Sequence, residues 1–153
     1  MGRQRAKWAA LVAVVPFLAA SGCAATVTAP PGPATSASAP EATGTPVEGV
    51  DAAAQAYVDA VNARDLDALV ASFAPDAEII DVSRSIKGHD AIRRWADGEV
   101  IGGTLRVLSI AGRRGDGQKL LVHWAPGGSG GWEAHYDFTV GGGRIVRVDL
   151  QYA

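Results

Sequence analysis

The chain has 153 residues, room for one domain, with 14 Lys and Arg against 16 Asp and Glu and a formal net charge of −2. A single cysteine excludes an intrachain disulfide framework and a thiolate metal site. The three histidines, His89, His123 and His135, form no close ligand pair, so neither a metal nor a cofactor is expected.

The first 22 residues read as an export signal. Arg3, Arg5 and Lys7 precede the apolar stretch Trp8 to Ala20, and the small residues Ala20-Ser21-Gly22 follow. The stretch is shorter than the ~20 apolar residues a transmembrane helix needs. Leu18-Ala19-Ala20-Ser21-Gly22-Cys23 resembles the bacterial lipobox. That resemblance implies a diacylglyceryl group on the Cys23 thiol, cleavage before Cys23, and acylation of the new amine, with palmitate as a typical chain. Two or more acyl chains, at about 0.8 kcal/mol per buried methylene, make a stable anchor. The implied location is the extracytoplasmic face of a bacterial cell membrane. The other reading is an unmodified cysteine beside an ordinary cleavage site.

Cleavage before Cys23 removes three of the 14 basic residues and no acid, leaving 11 against 16, or −5. An acidic surface is a poor partner for nucleic acid or anionic headgroups, so attachment to the membrane rests on the lipid. Residues 23–49 are the anchor cysteine and a stretch of Ala, Thr, Ser, Pro and Gly. Five of the chain's eight prolines (Pro30, Pro31, Pro33, Pro40 and Pro46) fall in it. It has too little apolar surface to offset the cost of ordering it and is expected to be a disordered, extended tether. Residues 50–153 remain for the folded domain.

In that domain Asp51–Ala63 has helical spacing, with Ala53, Tyr57, Ala60 and Val61 on one face. A second helix starts at the N-cap Asp65, presents Leu66, Leu69, Val70 and Phe73, and is expected to end at Pro75. Glu78–Val82 is a strand with Ser85–Lys87 as its hairpin partner, and a third helix runs Asp90–Ala96 after Gly88. The period then changes to two: Thr104–Ala111, Leu120–Ala125, Trp132–Val140 and Arg144–Tyr152 read as strands. The glycine runs at 127–131 and 141–143 lack the strand–glycine–helix context of a nucleotide loop and read as hairpin loops. Three helices followed by long strands predict an α+β domain, with a curved antiparallel sheet packed against the helices.

The run from Tyr57 through Asp65, Phe73, Asp76 and Ala77 to Asp81 resembles the front of a nuclear transport factor 2-like, SnoaL-like domain. Lys87-Gly88-His89-Asp90-Ala91-Ile92 and Gly143-Arg144-Ile145 match later landmarks of that family. The resemblance spans essentially all of residues 50–153 and implies a cone enclosing an apolar pocket. The superfamily includes polyketide cyclases, ketosteroid isomerases and non-catalytic ligand-binding or association domains, so the fold does not fix the function.

Carried over from the isomerases, the resemblance aligns their oxyanion-donating tyrosine with Tyr57 and their proton-transferring aspartate with Asp81. Abstraction beside a carbonyl needs such a base and such a donor. Their third acidic residue falls on His135, a departure from that pattern, with Asp137 two positions on along the same strand face. For each, a structural role is the competing reading: Tyr57 as a core tyrosine, Asp81 as a turn acceptor near Ser83 and Ser85, and His135 with Asp137 on a solvent face opposite Trp132, Ala134, Tyr136 and Phe138. Trp95, Trp124 and Trp132 are candidates to line the pocket. Three functions follow. The first is a lipid-anchored envelope protein binding a small apolar ligand or a partner protein. The second is an isomerase, cyclase or dehydratase using Asp81 and Tyr57. The third is a module that associates, for example as a homodimer, through its sheet. An exported location favours binding over catalysis, because cytosolic polyketide and steroid intermediates are out of reach.

Overall fold

The computed structural model of the protein describes residues 45–153. The expected signal, Cys23 and the tether up to residue 44 lie outside the described residues. The order of elements is α1 (Ala52–Ala63), α2 (Leu66–Ala71), β1 (Phe73–Asp81), β2 (Arg84–Lys87), α3 (His89–Glu99), β3 (Thr104–Arg114), β4 (Gly117–Ala125), β5 (Trp132–Gly141) and β6 (Arg144–Tyr152). Among the described residues no helix is long and apolar enough to cross a membrane.

The helices begin where their caps are. The Asp51 carboxylate accepts from the Ala53 amide at 2.9 Å, and Asp65 accepts from the Ala68 amide at 2.9 Å. Each satisfies an amide that the first helical turn leaves without an internal partner. Arg64, in the left-handed region at φ 58°, closes α1 by donating its amide to Ala60 and Val61. Pro75 does not end α2 as expected; the helix stops at Ala71, and Pro75 lies inside β1. The β1 register slips between Phe73 and Glu78, and pairing with β2 starts only at Glu78. A residue without an amide hydrogen is tolerated in such an irregular stretch.

The six strands form one sheet in the order β2-β1-β6-β5-β4-β3. It is antiparallel except where β1 and β6 run parallel, so the sheet is mixed rather than wholly antiparallel. One face is the core: Ile79, Leu120, Val122, Phe138, Ile145 and Val148 are fully buried under α1 and α3, with Val61, Leu69 and Ile92 opposite. Asn62 ties the end of α1 to the edge strand, donating to the Leu105 carbonyl (2.8 Å) and accepting from its amide (2.9 Å).

The chain enters the domain through a clamp. The Gly49 carbonyl accepts from the Arg113 guanidinium (2.9 Å) and from the Gln118 amide group (2.8 Å), while Gln118 accepts from the Asp51 backbone amide at 2.8 Å. Gly49 has φ +81°, a conformation that favours glycine; a Cβ there would stand 2.8 Å from the end of the flexible Arg113 side chain, which can shift aside.

Candidate functional site

The alternation of β5 sorts the candidate residues. Ala134, Tyr136 and Phe138 are buried on the inner face, whereas His135 and Asp137 point the other way. The strand partners agree: Asp81 sits beside Leu150 and Tyr136 opposite Leu150, all inward, while His135 faces Leu121 and Gln151 on the outside. Asp137 is held there by Arg114 at 2.5 Å and lies 3.9 Å from Lys119. The sheet therefore separates His135 and Asp137 from Tyr57 and Asp81. The position inferred for a third acid lies one residue from the inward Tyr136, and a shift of one along a strand exchanges the faces.

A cavity of about 270 Å³ opens at the end of the cone where β1, α3, β4, β5 and β6 converge. Trp95 comes from α3, Trp124 from the end of β4 and Trp132 from the start of β5, so all three tryptophans line one space. Asp81 lines it too, on the inward side of β1, with Tyr136 from β5. Trp124 packs flush against the start of β3 because Gly103 has no side chain; a Cβ there would collide with the indole. At the mouth stand Val82, Trp132 and Tyr152, 47%, 39% and 67% exposed, the large apolar side chains that the described residues leave open. The Trp132 and Tyr152 rings lie 5.9 Å apart.

Tyr57 is buried in an aromatic cluster, its ring centroid 5.8 Å from Phe73, 5.7 Å from Phe138 and 6.4 Å from Tyr136. The ring does the work of a core residue. Its hydroxyl and that of Tyr136 have no hydrogen-bond partner among the described residues. Burial raises the Tyr57 phenol well above its ordinary value, with Tyr136 and then the Asp81 charge adding to it. Tyr136 is raised by burial first and Asp81 second. Tyr136 lines the cavity and can donate a hydrogen bond to a ligand oxygen there, whereas Tyr57 is not part of the lining.

Asp81 is not free. Arg84, three residues on across a two-residue turn, bonds it at 2.5 Å. The same guanidinium grips Glu99 of α3 with two bonds of 2.9 and 2.7 Å. This carboxylate–guanidinium–carboxylate bridge ties β1, β2 and α3 together beside the mouth. Arg84, Glu99 and Tyr136 were not among the candidates from the sequence. An acid and a base three apart across a turn was the available signal for Arg84. Val82, in that turn, holds φ +57°, a strained conformation for a β-branched residue. Its amide donates to the Leu150 carbonyl at 2.9 Å, and its carbonyl accepts from the Gln151 side chain at 2.9 Å.

Among the described residues no group of three or more His, Cys, Asp or Glu side chains could hold a metal ion. His89 contacts the Phe73 carbonyl through Nε2 at 3.0 Å, away from the cavity lining.

The SnoaL-like domain profile matches residues 54–148. No curated relative matches the chain significantly. A candidate polyketide cyclase from Sinorhizobium meliloti is similar at 28% identity and a TM-score of 0.57, covering 65% of this chain and 93% of that one. A Mycobacterium tuberculosis protein in complex with estradiol-17beta-hemisuccinate shares the fold at 19% identity and a TM-score of 0.58, over 66% of this chain and 91% of that one. A candidate ketosteroid isomerase from Kribbella flavida does so at 20% identity and 0.59, over 67% and 76%. Three helices on a curved sheet, with an inward cavity at its end and a profile match across most of the domain, place this chain in the SnoaL-like domain family.

Proposed function

We propose that the protein binds a small, largely apolar molecule in the cavity at the wide end of its cone, and that Cys23 carries a lipid anchor holding the domain at the outer side of the cell membrane. The observation that carries the binding reading is the cavity itself: aromatic walls, about 270 Å³ of space, and a few convergent polar groups. Such a lining is the usual character of a small-molecule site. The steroid ring body of the conjugate held by the Mycobacterium tuberculosis protein of the same fold supports an apolar core for the ligand, its carboxylate end aside. The anchor rests on the lipobox resemblance at Leu18–Cys23.

Catalysis is the second reading, favoured by the proximity of the Tyr57 and Tyr136 phenols to the Asp81 charge. An isomerase or cyclase would use Asp81 as base and the phenols as oxyanion donors. Binding is the better fit, because an Asp81 oxygen is already committed to Arg84 and the opposed His135 and Asp137 cannot complete the set.

Asp81→Asn separates the two. With the full chain, ligand affinity should change by less than about tenfold, because one hydrogen-bonding group among many apolar contacts is altered. If the mutation instead abolishes turnover of a bound ligand while leaving its affinity and the fold intact, the catalytic reading replaces ours. For the anchor, Cys23→Ala should move the protein from the membrane fraction to the soluble fraction and remove the acyl mass from the mature chain. Membrane retention with no acyl mass in the unmutated protein would refute it.

A further inference from the structure

The cavity has an uneven charge distribution for an apolar site. Two carboxylates, Asp81 and Glu99, line it, and no lysine, arginine or histidine does. Arg84 bridges the two without lining the cavity, so one positive charge stands against two negative ones. Around these acids are the indoles of Trp95, Trp124 and Trp132 and the phenol of Tyr152. Deeper in, Tyr136 is 5% exposed and lines the cavity with a hydroxyl that has no partner among the described residues. Aromatic faces are negative and attract cations, most strongly for tryptophan and most of all away from water. Residual negative charge beside several indoles is therefore a site for a positively charged head, and an unpartnered phenol is a site for an oxygen.

We infer that the ligand is a cationic one: an aromatic or alicyclic body with a quaternary or protonated amine seated among Trp132, Tyr152 and Glu99, and an oxygen-bearing end directed to Tyr136. This rests on the reading of the cavity as a small-molecule site and adds the ligand's charge. Anions are disfavoured, because a negative head would meet Asp81 and Glu99 directly. A neutral head of the same shape fills the same space but forgoes the attraction of rings and carboxylates.

Three probes with one ring and different heads test it: 4-hydroxy-N,N,N-trimethylanilinium, its uncharged isostere 4-tert-butylphenol, and 4-hydroxybenzenesulfonate. Each is titrated into the full chain in a nonionic detergent, following tryptophan fluorescence against a detergent blank. The cation should bind about two- to fivefold tighter than the isostere, as a cation–π contact at rings this exposed supports, and the sulfonate weakest. Glu99→Gln and Trp132→Leu should each remove most of the cation's advantage while leaving 4-tert-butylphenol nearly unchanged. Equal binding of the cation and its isostere overturns the charge assignment but leaves the apolar-ligand reading standing. Tightest binding of the sulfonate also overturns it and makes Arg84 the recognising group. Failure of all three probes to bind removes both readings at this cavity.

Discussion

The two faces of β5 are built from alternate residues of one strand, yet they obey different physics. Inward, Ala134, Tyr136 and Phe138 are buried, and Tyr136 and Phe138 join Tyr57 in one aromatic cluster. Outward, Asp137 meets Arg114 and Lys119, while on the same side of the sheet Arg147 bonds Glu78 at 2.6 Å and lies 3.8 Å from Asp149. The inner face gains from removing apolar surface from water and can hold a ligand for the same reason. The outer face gains little from its half-exposed ion pairs. A dimer through this outer face would have to bury that charge; of the last strand's apolar side chains Val148 and Leu150 are inside, while Tyr152 is exposed. One strand thus supplies both a wall of the cavity and a charged outer surface.

Adjacent substitutions on β5 give the sharpest test of that contrast. Phe138→Ala should cost about 3–5 kcal/mol in urea denaturation, because a fully buried ring leaves a cavity. Asp137→Ala, one residue away, should cost at most about 1 kcal/mol. Similar losses at both positions would break the comparison.

Alkaline titration should show the inner face next. The folded pKa values of Tyr57 and Tyr136 are raised, mainly by burial. Below the unfolded value of about 10, both phenols keep their protons in either state and the stability is fully present. Above it the unfolded chain releases protons that the folded chain retains, so stability falls by up to about 1.4 kcal/mol per pH unit for each tyrosine. Denaturation midpoints measured from neutral pH upward should stay level and then drop beyond about pH 10. Tyr57→Phe and Tyr136→Phe should each shallow the drop; a slope unchanged by both would remove the buried phenols as its cause.

The smallest effect is expected at the rim. Val82→Gly gives up an exposed side chain and relieves a left-handed backbone conformation that costs an L-residue about 1–2 kcal/mol. Part of this is returned as unfolded-chain entropy. The variant should gain up to about 1 kcal/mol in chemical denaturation. A loss larger than that would mean that Val82 packs into the mouth more than its exposure indicates.

Much of this was legible in the sequence. The N-cap at Asp65, the period-two runs and the glycine turns gave the elements, because each is set by local chemistry; that Asp51 caps α1 instead of opening it came from the structure. Trp95, Trp124 and Trp132 were cavity candidates by residue type alone, and which face of β5 turns inward came only from the fold. The parallel pairing of β1 with β6 was not, because it joins segments about 70 residues apart and leaves no mark on either one. Pro75 misled because a proline ends a helix and also sits comfortably in an unpaired stretch of strand. At the cavity, Asp81 and Trp95 stood out by residue type. Glu99 did not, because α3 runs past Gly98 and only the fold brings its last residue to Arg84.

The clamp at Gly49 has a mechanical consequence. A pull arriving along the chain from its N-terminal side reaches Gly49 before it reaches α1. There it is divided between Arg113 on β3 and Gln118 on β4, which hold a single carbonyl, and Gln118 also holds the next segment at Asp51. The load passes into two adjacent strands at once, and the cap of α1 is spared. Gln118 stands at the start of β4 and Trp124 near its end, so a pull on the clamp enters that strand at the end away from the cavity.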